Sequence, residues 1–285
     1  MTSLAKIAAF ASAFLIGHAV ECASAQSQSD GTVVELETPL ASSHALVGYL
    51  RRPKGGAGPS PAVVLLHSCN GNWRRIDERW GKRIASWGYV TLSVDSLGPR
   101  GNQTSCKDSA STDFASDAYR ALDFLAQHPS VDPSRVAAIG FAMGGWSVLS
   151  SVERGIAEEA SSNKFRSAVA FYPPCTRLKG NMTVPTLILI GERDDWNSAD
   201  ECRGLAAGRD GWGISRKKDQ GVPIKLIVYP DAYHAFDAPG LKTPVEIQGH
   251  HLEFNQSAAD QSAEALREFL GATIGKEAED RDKDK

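Results

Sequence analysis

Arg135-Val-Ala-Ala-Ile-Gly-Phe-Ala-Met-Gly-Gly-Trp146 is the stretch whose reading decides the architecture. Val136 to Ile139 is a short apolar run, as expected of a strand covered on both faces. Gly140-Phe-Ala-Met-Gly-Gly145 then turns sharply, and a helix begins near Met143. The layout is G-x-S-x-G, a strand-to-helix turn that lifts its central residue out of the sheet. The glycines have a steric reason. The central residue sits in a strained turn, and side chains two positions to either side would collide. That central position normally carries a hydroxyl or thiol, and here it is Ala142. A methyl group cannot attack a carbonyl, so the turn is present and its reactive atom is not.

Working outward, the same alternation of strand and helix recurs. Thr32 to Glu37 and Leu46 to Leu50 read as an antiparallel pair at a sheet edge. Pro53 to Pro61 is rich in Gly and Pro and reads as a loop. Ala62-Val-Val-Leu-Leu66 is a fully apolar strand, followed by the loop His67-Ser-Cys-Asn-Gly71. A helix is expected from Ile76 to Trp87, with Trp80, Ile84 and Trp87 on one stripe. Tyr89 to Val94 is the next strand, and a helix over Phe114 to Ala126 precedes the central turn. Ser167 to Tyr172, Thr186 to Ile190 and Ile224 to Tyr229 are further strands, and Gln261 to Leu270 is a closing amphipathic helix. This order implies an α/β fold: a mostly parallel central sheet with helices on both faces. In such sheets ligands sit beyond the carboxyl ends of the strands.

The loops at those ends carry the chemistry. A nucleophile, an acid and a histidine in that chain order would fall at 142, Asp194 and His234. His234 follows the last strand in Tyr229-Pro-Asp-Ala-Tyr-His-Ala-Phe236. It would act as general base toward residue 142 and then as general acid toward the leaving group. His250 and His251 are its rivals; they lie close to the last helix and read as surface residues. Asp194 follows Leu187-Ile-Leu-Ile-Gly191 and would orient His234. Glu192 and Asp195 are alternatives, and the bland reading is that this acidic cluster caps a helix starting near Ser198. Oxyanion donors would be the backbone N–H groups of Met143 and Cys69.

The ends and the cysteines address the compartment. Lys6, the apolar run Ile7 to Val20 and Ala23-Ser-Ala25 form the three parts of a signal segment, with the mature chain starting near Gln26. That apolar run is shorter than the roughly 20 residues a membrane span needs. Of five cysteines, Cys22 would leave with the signal. Cys69, Cys106, Cys175 and Cys202 remain, and an even set in an exported chain implies disulfides with three possible connectivities. Loops at one end of the sheet, after consecutive strands, favour Cys69–Cys106 and Cys175–Cys202. Their spacing matches no zinc pattern. Residues 276–285 are nearly all charged and read as a solvated tail, which leaves 26–275 as one domain. A net charge of −3 argues against nucleic acid and a polybasic membrane surface as partners.

Leu65-Leu-His-Ser-Cys-Asn-Gly71, Val94-Asp-Ser-Leu-Gly-Pro-Arg-Gly101, Gly140 to Gly145, Gly191 to Trp196 and Tyr229 to Phe236 together resemble the dienelactone hydrolase family. The resemblance covers nearly all of residues 26–275. It implies an α/β-hydrolase fold and hydrolysis of a small-molecule ester or lactone through an acyl-enzyme, with no cofactor and no metal. Two positions depart from the family's pattern. The nucleophile is replaced by Ala142, and Ser68 stands about where dienelactone-cleaving members carry a glutamate. Two readings follow: a hydrolase lacking its nucleophile, or a protein that binds such a ligand without turning it over.

Overall fold

The computed structural model describes residues 31–36, 46–55, 58–106, 114–208 and 220–275. The signal segment and the charged tail lie outside the described residues. Strands β1 (Gly31–Leu36), β2 (Leu46–Arg51) and β3 (Ser60–Leu66) come first. Helix α1 covers residues 73–86 in three parts, an α turn Trp73–Ile76, a π segment Asp77–Gly81 and an α turn Lys82–Ser86. There follow β4 (Val90–Asp95), α2 (Phe114–Gln127), β5 (Val131–Phe141), α3 (Met143–Val152), the short α4 (Ile156–Ala160) and β6 (Ser167–Phe171). The chain then forms β7 (Thr186–Gly191), α5 (Ala199–Ala206), β8 (Ile224–Tyr229), the hairpin β9 (Val245–Ile247) and β10 (His250–Leu252), and α6 (Gln256–Ile274).

Eight strands make one sheet in the order β1-β2-β4-β3-β5-β6-β7-β8. β1 pairs with β2 and β2 with β4 antiparallel; every pair from β4 to β8 is parallel. The central parallel strands carry apolar runs because helices cover both faces, while the edge strand β8 exposes Lys225. Residues Ala62 to Val64 and Val136 to Ile139 have no exposed surface at all.

Strand order reverses between β3 and β5. The chain runs from β3 outward to β4, then returns to lay β5 on the other side of β3. Loops leaving β3 and β5 therefore diverge above the sheet at a switch point, where a ligand crevice forms. Leu66, the end of β3, is in register with Gly140. That register brings the loop with Cys69 beside the turn with Ala142.

The closing helix is longer than expected from the sequence, Gln256–Ile274 rather than Gln261 to Leu270, and two further features differ. Helix α1 starts at Trp73 rather than Ile76, and it carries a π segment in which the Lys82 N–H reaches back to the Asp77 carbonyl. A tertiary contact accompanies the π segment. Asp77 is buried against Arg51, whose Nε and Nη2 meet its carboxylate at 3.0 and 2.6 Å. A Cβ on Gly81 would lie 2.4 Å from Asp77 Oδ1. The other difference is the β9–β10 hairpin, with strands of three residues each, too short to show alternation.

Candidate active site

Ala142 sits between β5 and α3 with φ 49° and ψ −114°. An L-residue held there stores of order 1–3 kcal/mol of strain. Its N–H donates to Phe171 O at 2.9 Å and its carbonyl accepts from Trp146 N at 3.0 Å, so neighbouring backbone holds the turn on both sides. The glycines are required by space. A Cβ on Gly140 would meet Gly144 O at 2.0 Å, and one on Gly144 would meet His67 O at 2.4 Å. Met143 is the first residue of α3, so its N–H is one of the donors that a helix start leaves without an intrahelical partner.

The loop after β3 is held from two directions. His67 is fully buried. Its Nδ1–H donates to Ser68 O at 2.6 Å, and its Nε2 accepts from Ser96 N at 3.1 Å. Those roles need the neutral ring, and burial lowers the pKa of His67 accordingly. Farther along, Cys69 O accepts from Ser105 N at 2.7 Å and from Thr104 Oγ1 at 3.2 Å. A disulfide joins Cys69 to Cys106. Ser68 Oγ donates to Asn70 Oδ1 at 2.6 Å within its own loop.

Asp194 and His234 come together across 40 residues. His234 Nδ1 lies 2.9 Å from Asp194 Oδ2, and both side chains are buried. The other carboxylate oxygen, Oδ1, accepts the N–H groups of Trp196 and Asn197 at 3.0 and 2.8 Å. Asn197 Nδ2 in turn donates to Tyr172 O at 2.7 Å, tying the acid's loop to the end of β6. Gly191 allows the approach of the two loops, since a Cβ there would lie 2.1 Å from Ala232 O. With Nδ1 committed to the carboxylate as donor, Nε2 carries the lone pair.

The alternative acids are engaged elsewhere. Glu192 pairs with Arg203. Asp195 accepts the His251 N–H at 3.2 Å. His250 and His251 do not contact Asp194, yet they are more than surface residues. His250 stacks on Trp196 with ring centroids 4.8 Å apart, and the Trp196 ring lies 5.1 Å from that of His234. His251 packs on Tyr233 at 4.1 Å. The β9–β10 hairpin thus folds over the acid's loop, and the expectation for both histidines is corrected by that packing.

Several contributors had no sequence signal. Tyr172, at φ 40°, sets its ring edge-on to His234 at 4.8 Å. Its hydroxyl donates to Asp237 Oδ1 at 2.9 Å, and burial, with that carboxylate beside it, raises its pKa well above the usual range. Asp237 Oδ2 accepts the Trp80 Nε1–H at 2.6 Å. Arg79 Nε lies 3.1 Å from the same oxygen as an ion pair, off the line of a hydrogen bond. Both Arg79 and Trp80 belong to the π segment of α1, and such segments occur often at functional sites.

Cys175 and Cys202 form the second disulfide, joining the segment after β6 to α5. Both cysteine pairs are those expected from the loop positions. Two disulfides are the chemistry of an oxidising compartment. Among the described residues, no helix is long and apolar enough to cross a membrane.

Comparisons with known proteins agree on the fold. A dienelactone hydrolase-like promiscuous phosphotriesterase from metagenomic libraries superposes with a TM-score of 0.67 at 22% identity, covering 86% of this chain and 100% of that one. An esterase of the planctomycete Thermogutta terrifontis superposes with a TM-score of 0.61 at 17% identity, covering 86% and 92%. In sequence, Lipase 1 of Moraxella sp. (strain TA144) is 31% identical over 119 residues, which are 40% of this chain. The chain spans 33% of that lipase and 40% of a second curated relative, from Bacillus subtilis (strain 168). The model of the dienelactone hydrolase family matches residues 46–274, and the chain therefore belongs to that family of hydrolases.

Proposed function

We propose that this chain is built to hydrolyse small carboxylic esters or lactones, with Asp194 and His234 as its acid–base pair and residue 142 at the nucleophile's place. The observation that carries the reading is the 2.9 Å contact of His234 Nδ1 with the buried Asp194 carboxylate. A buried carboxylate at that distance fixes the ring's tautomer and stabilises the imidazolium that forms when Nε2 takes a proton. The N–H groups of Met143 and Cys69 are the proposed oxyanion donors. They are backbone groups, so their chemistry is independent of the side chains that bear them. Export through the segment 1–25 belongs to the same reading and is supported by the two disulfides. One hydrolase domain over 26–275 with a charged tail belongs to the same reading.

Ala142 closes the covalent route. No acyl-enzyme forms on a methyl group, so the protein is slow on small esters compared with a variant bearing a hydroxyl. A second reading, binding of an ester or lactone without turnover, is favoured by that same residue.

One experiment separates them. Ala142→Ser and Ala142→Cys each place a nucleophile in a turn already shaped for one. Release of p-nitrophenol from p-nitrophenyl esters of several chain lengths is expected to rise about 100-fold or more in at least one variant. Adding His234→Ala to that variant removes the gain. Folded variants with no gain at any chain length would favour binding without turnover.

A further inference from the structure

Three features of a site built around a reacting atom persist beside Ala142. Residue 142 keeps the strained φ of 49° of the strand-to-helix turn. A carboxylate is buried with three hydrogen bonds, two of them from backbone N–H groups. The third feature is His234 itself. Its Nδ1 is committed to Asp194, its ring packs against those of Tyr172 and Trp196, and its Nε2 has no hydrogen-bond partner among the described residues. His234 and Ala142 each keep a small opening to solvent, 6% and 7% of their surface. An imidazole nitrogen without a protein partner thus remains in a site whose nucleophile position carries a methyl group.

We propose that the protein hydrolyses activated esters in a single displacement by water, with His234 as general base and no covalent intermediate. The inference rests on the proposed acid–base pair. Water takes the position that a Ser or Cys side chain would fill beyond the Ala142 methyl group. Its oxygen forms the new bond to the acyl carbon while His234 Nε2 takes its proton. The carbonyl π electrons move onto the carbonyl oxygen, facing the N–H donors of Met143 and Cys69. When the tetrahedral species collapses, the C–O bond to the alcohol breaks and the imidazolium returns the proton to the leaving oxygen. Carboxylic acid and alcohol are the products, with no redox change. The same geometry favours substrates with good leaving groups, because water is a weaker nucleophile than a pre-bound alkoxide.

The test compares the protein as it stands with Ala142→Ser, His234→Asn and His234→Ala, all checked for folding by circular dichroism. His234→Asn retains a donor toward Asp194 and removes the base, which covers the case in which the alanine variant does not fold. With p-nitrophenyl acetate, the unaltered protein is expected to turn over without a burst and without an acetyl adduct by intact mass. Its rate should be lowered about 100-fold by loss of His234. It should also fall from p-nitrophenyl to phenyl acetate. Ala142→Ser should be faster, and should show a burst and an adduct at residue 142. An acetyl adduct on the unaltered protein overturns the inference. If Ala142→Ser is active while the unaltered protein matches its His234 variants, the inference alone fails. If Ala142→Ser is inactive as well, the hydrolase reading beneath it also fails.

Discussion

Asp237 Oδ2 accepts the indole N–H of Trp80 at 2.6 Å, which joins the segment after His234 to a helix 157 residues earlier in the chain. The same carboxylate accepts from Tyr172 OH and pairs with Arg79. It is one buried charge holding three elements that surround His234.

Removing it leaves an arginine without its counter-charge and two donors without an acceptor. Asp237→Ala is expected to lower stability in urea unfolding by about 3–5 kcal/mol. Asp237→Asn keeps the shape and part of the acceptor capacity, and should cost about 1–3 kcal/mol. An alanine variant as stable as the unaltered protein would show that the network contributes nothing to the fold.

Gly144 and Gly240 offer a matched contrast. A Cβ on Gly144 would meet the His67 and Leu66 carbonyl oxygens at 2.4 and 2.6 Å, both backbone atoms that cannot turn aside. Gly240 has nothing within 4 Å. Gly144→Ala should therefore fail to accumulate as folded protein, or lose about 4 kcal/mol or more. Gly240→Ala should stay within about 0.5 kcal/mol. Thermal unfolding of the pair measures the cost of a side chain where α3 approaches the end of β3.

Each disulfide closes a loop of moderate length, with separations of 37 residues for Cys69–Cys106 and 27 for Cys175–Cys202. Chain-entropy reasoning assigns each about 3–4 kcal/mol, little changed by ten residues of loop. The paired serine variants should therefore lose similar stability. Their effects on function should differ. Opening Cys69–Cys106 frees the loop of a proposed oxyanion donor, so its double variant in the Ala142→Ser background should lose the larger share of ester turnover. Equal losses of turnover would count against Cys69 as a donor.

His67 makes stability depend on pH. Burial lowers its pKa in the folded state from the ordinary 6.5. Between the folded and unfolded values the unfolded chain binds more protons, so stability rises with pH. The contribution is complete above about pH 6.5 and is lost as pH falls below it, at no more than about 1.4 kcal/mol per pH unit from one group. Melting temperatures at pH 8 and pH 5 should differ more in the unaltered protein than in His67→Gln. An identical difference in both would remove His67 from the account.

Much of this molecule is written locally. The turn at Ala142 is legible because Gly140 faces the Gly144 carbonyl, four residues on; Gly144 itself is required by the Leu66 and His67 carbonyls. The central parallel strands are legible because burial on both faces makes Ala62 to Leu66, Val136 to Ile139 and Leu187 to Ile190 apolar throughout. Asp194 and His234 are legible through their places after strands, and the paired cysteines through loops that share one end of the sheet.

What the sequence by itself determined is therefore the succession of elements and the residue types at the carboxyl ends of the strands. Only the tertiary structure decided which of three neighbouring acids meets His234, that His250 stacks on Trp196 beside it, and that Trp80 and Arg79 reach Asp237. The physical reason is the same in each case. Periodicity and turn chemistry report on neighbours a few residues apart. Asp194, Asp195 and Glu192 differ only in the direction the loop points them, which is set by Asn197 on Tyr172 and by Gly191 against Ala232. The π segment that aims Trp80 depends on Asp77 finding Arg51. Such contacts form when distant parts of the chain are packed together, and no local pattern carries them.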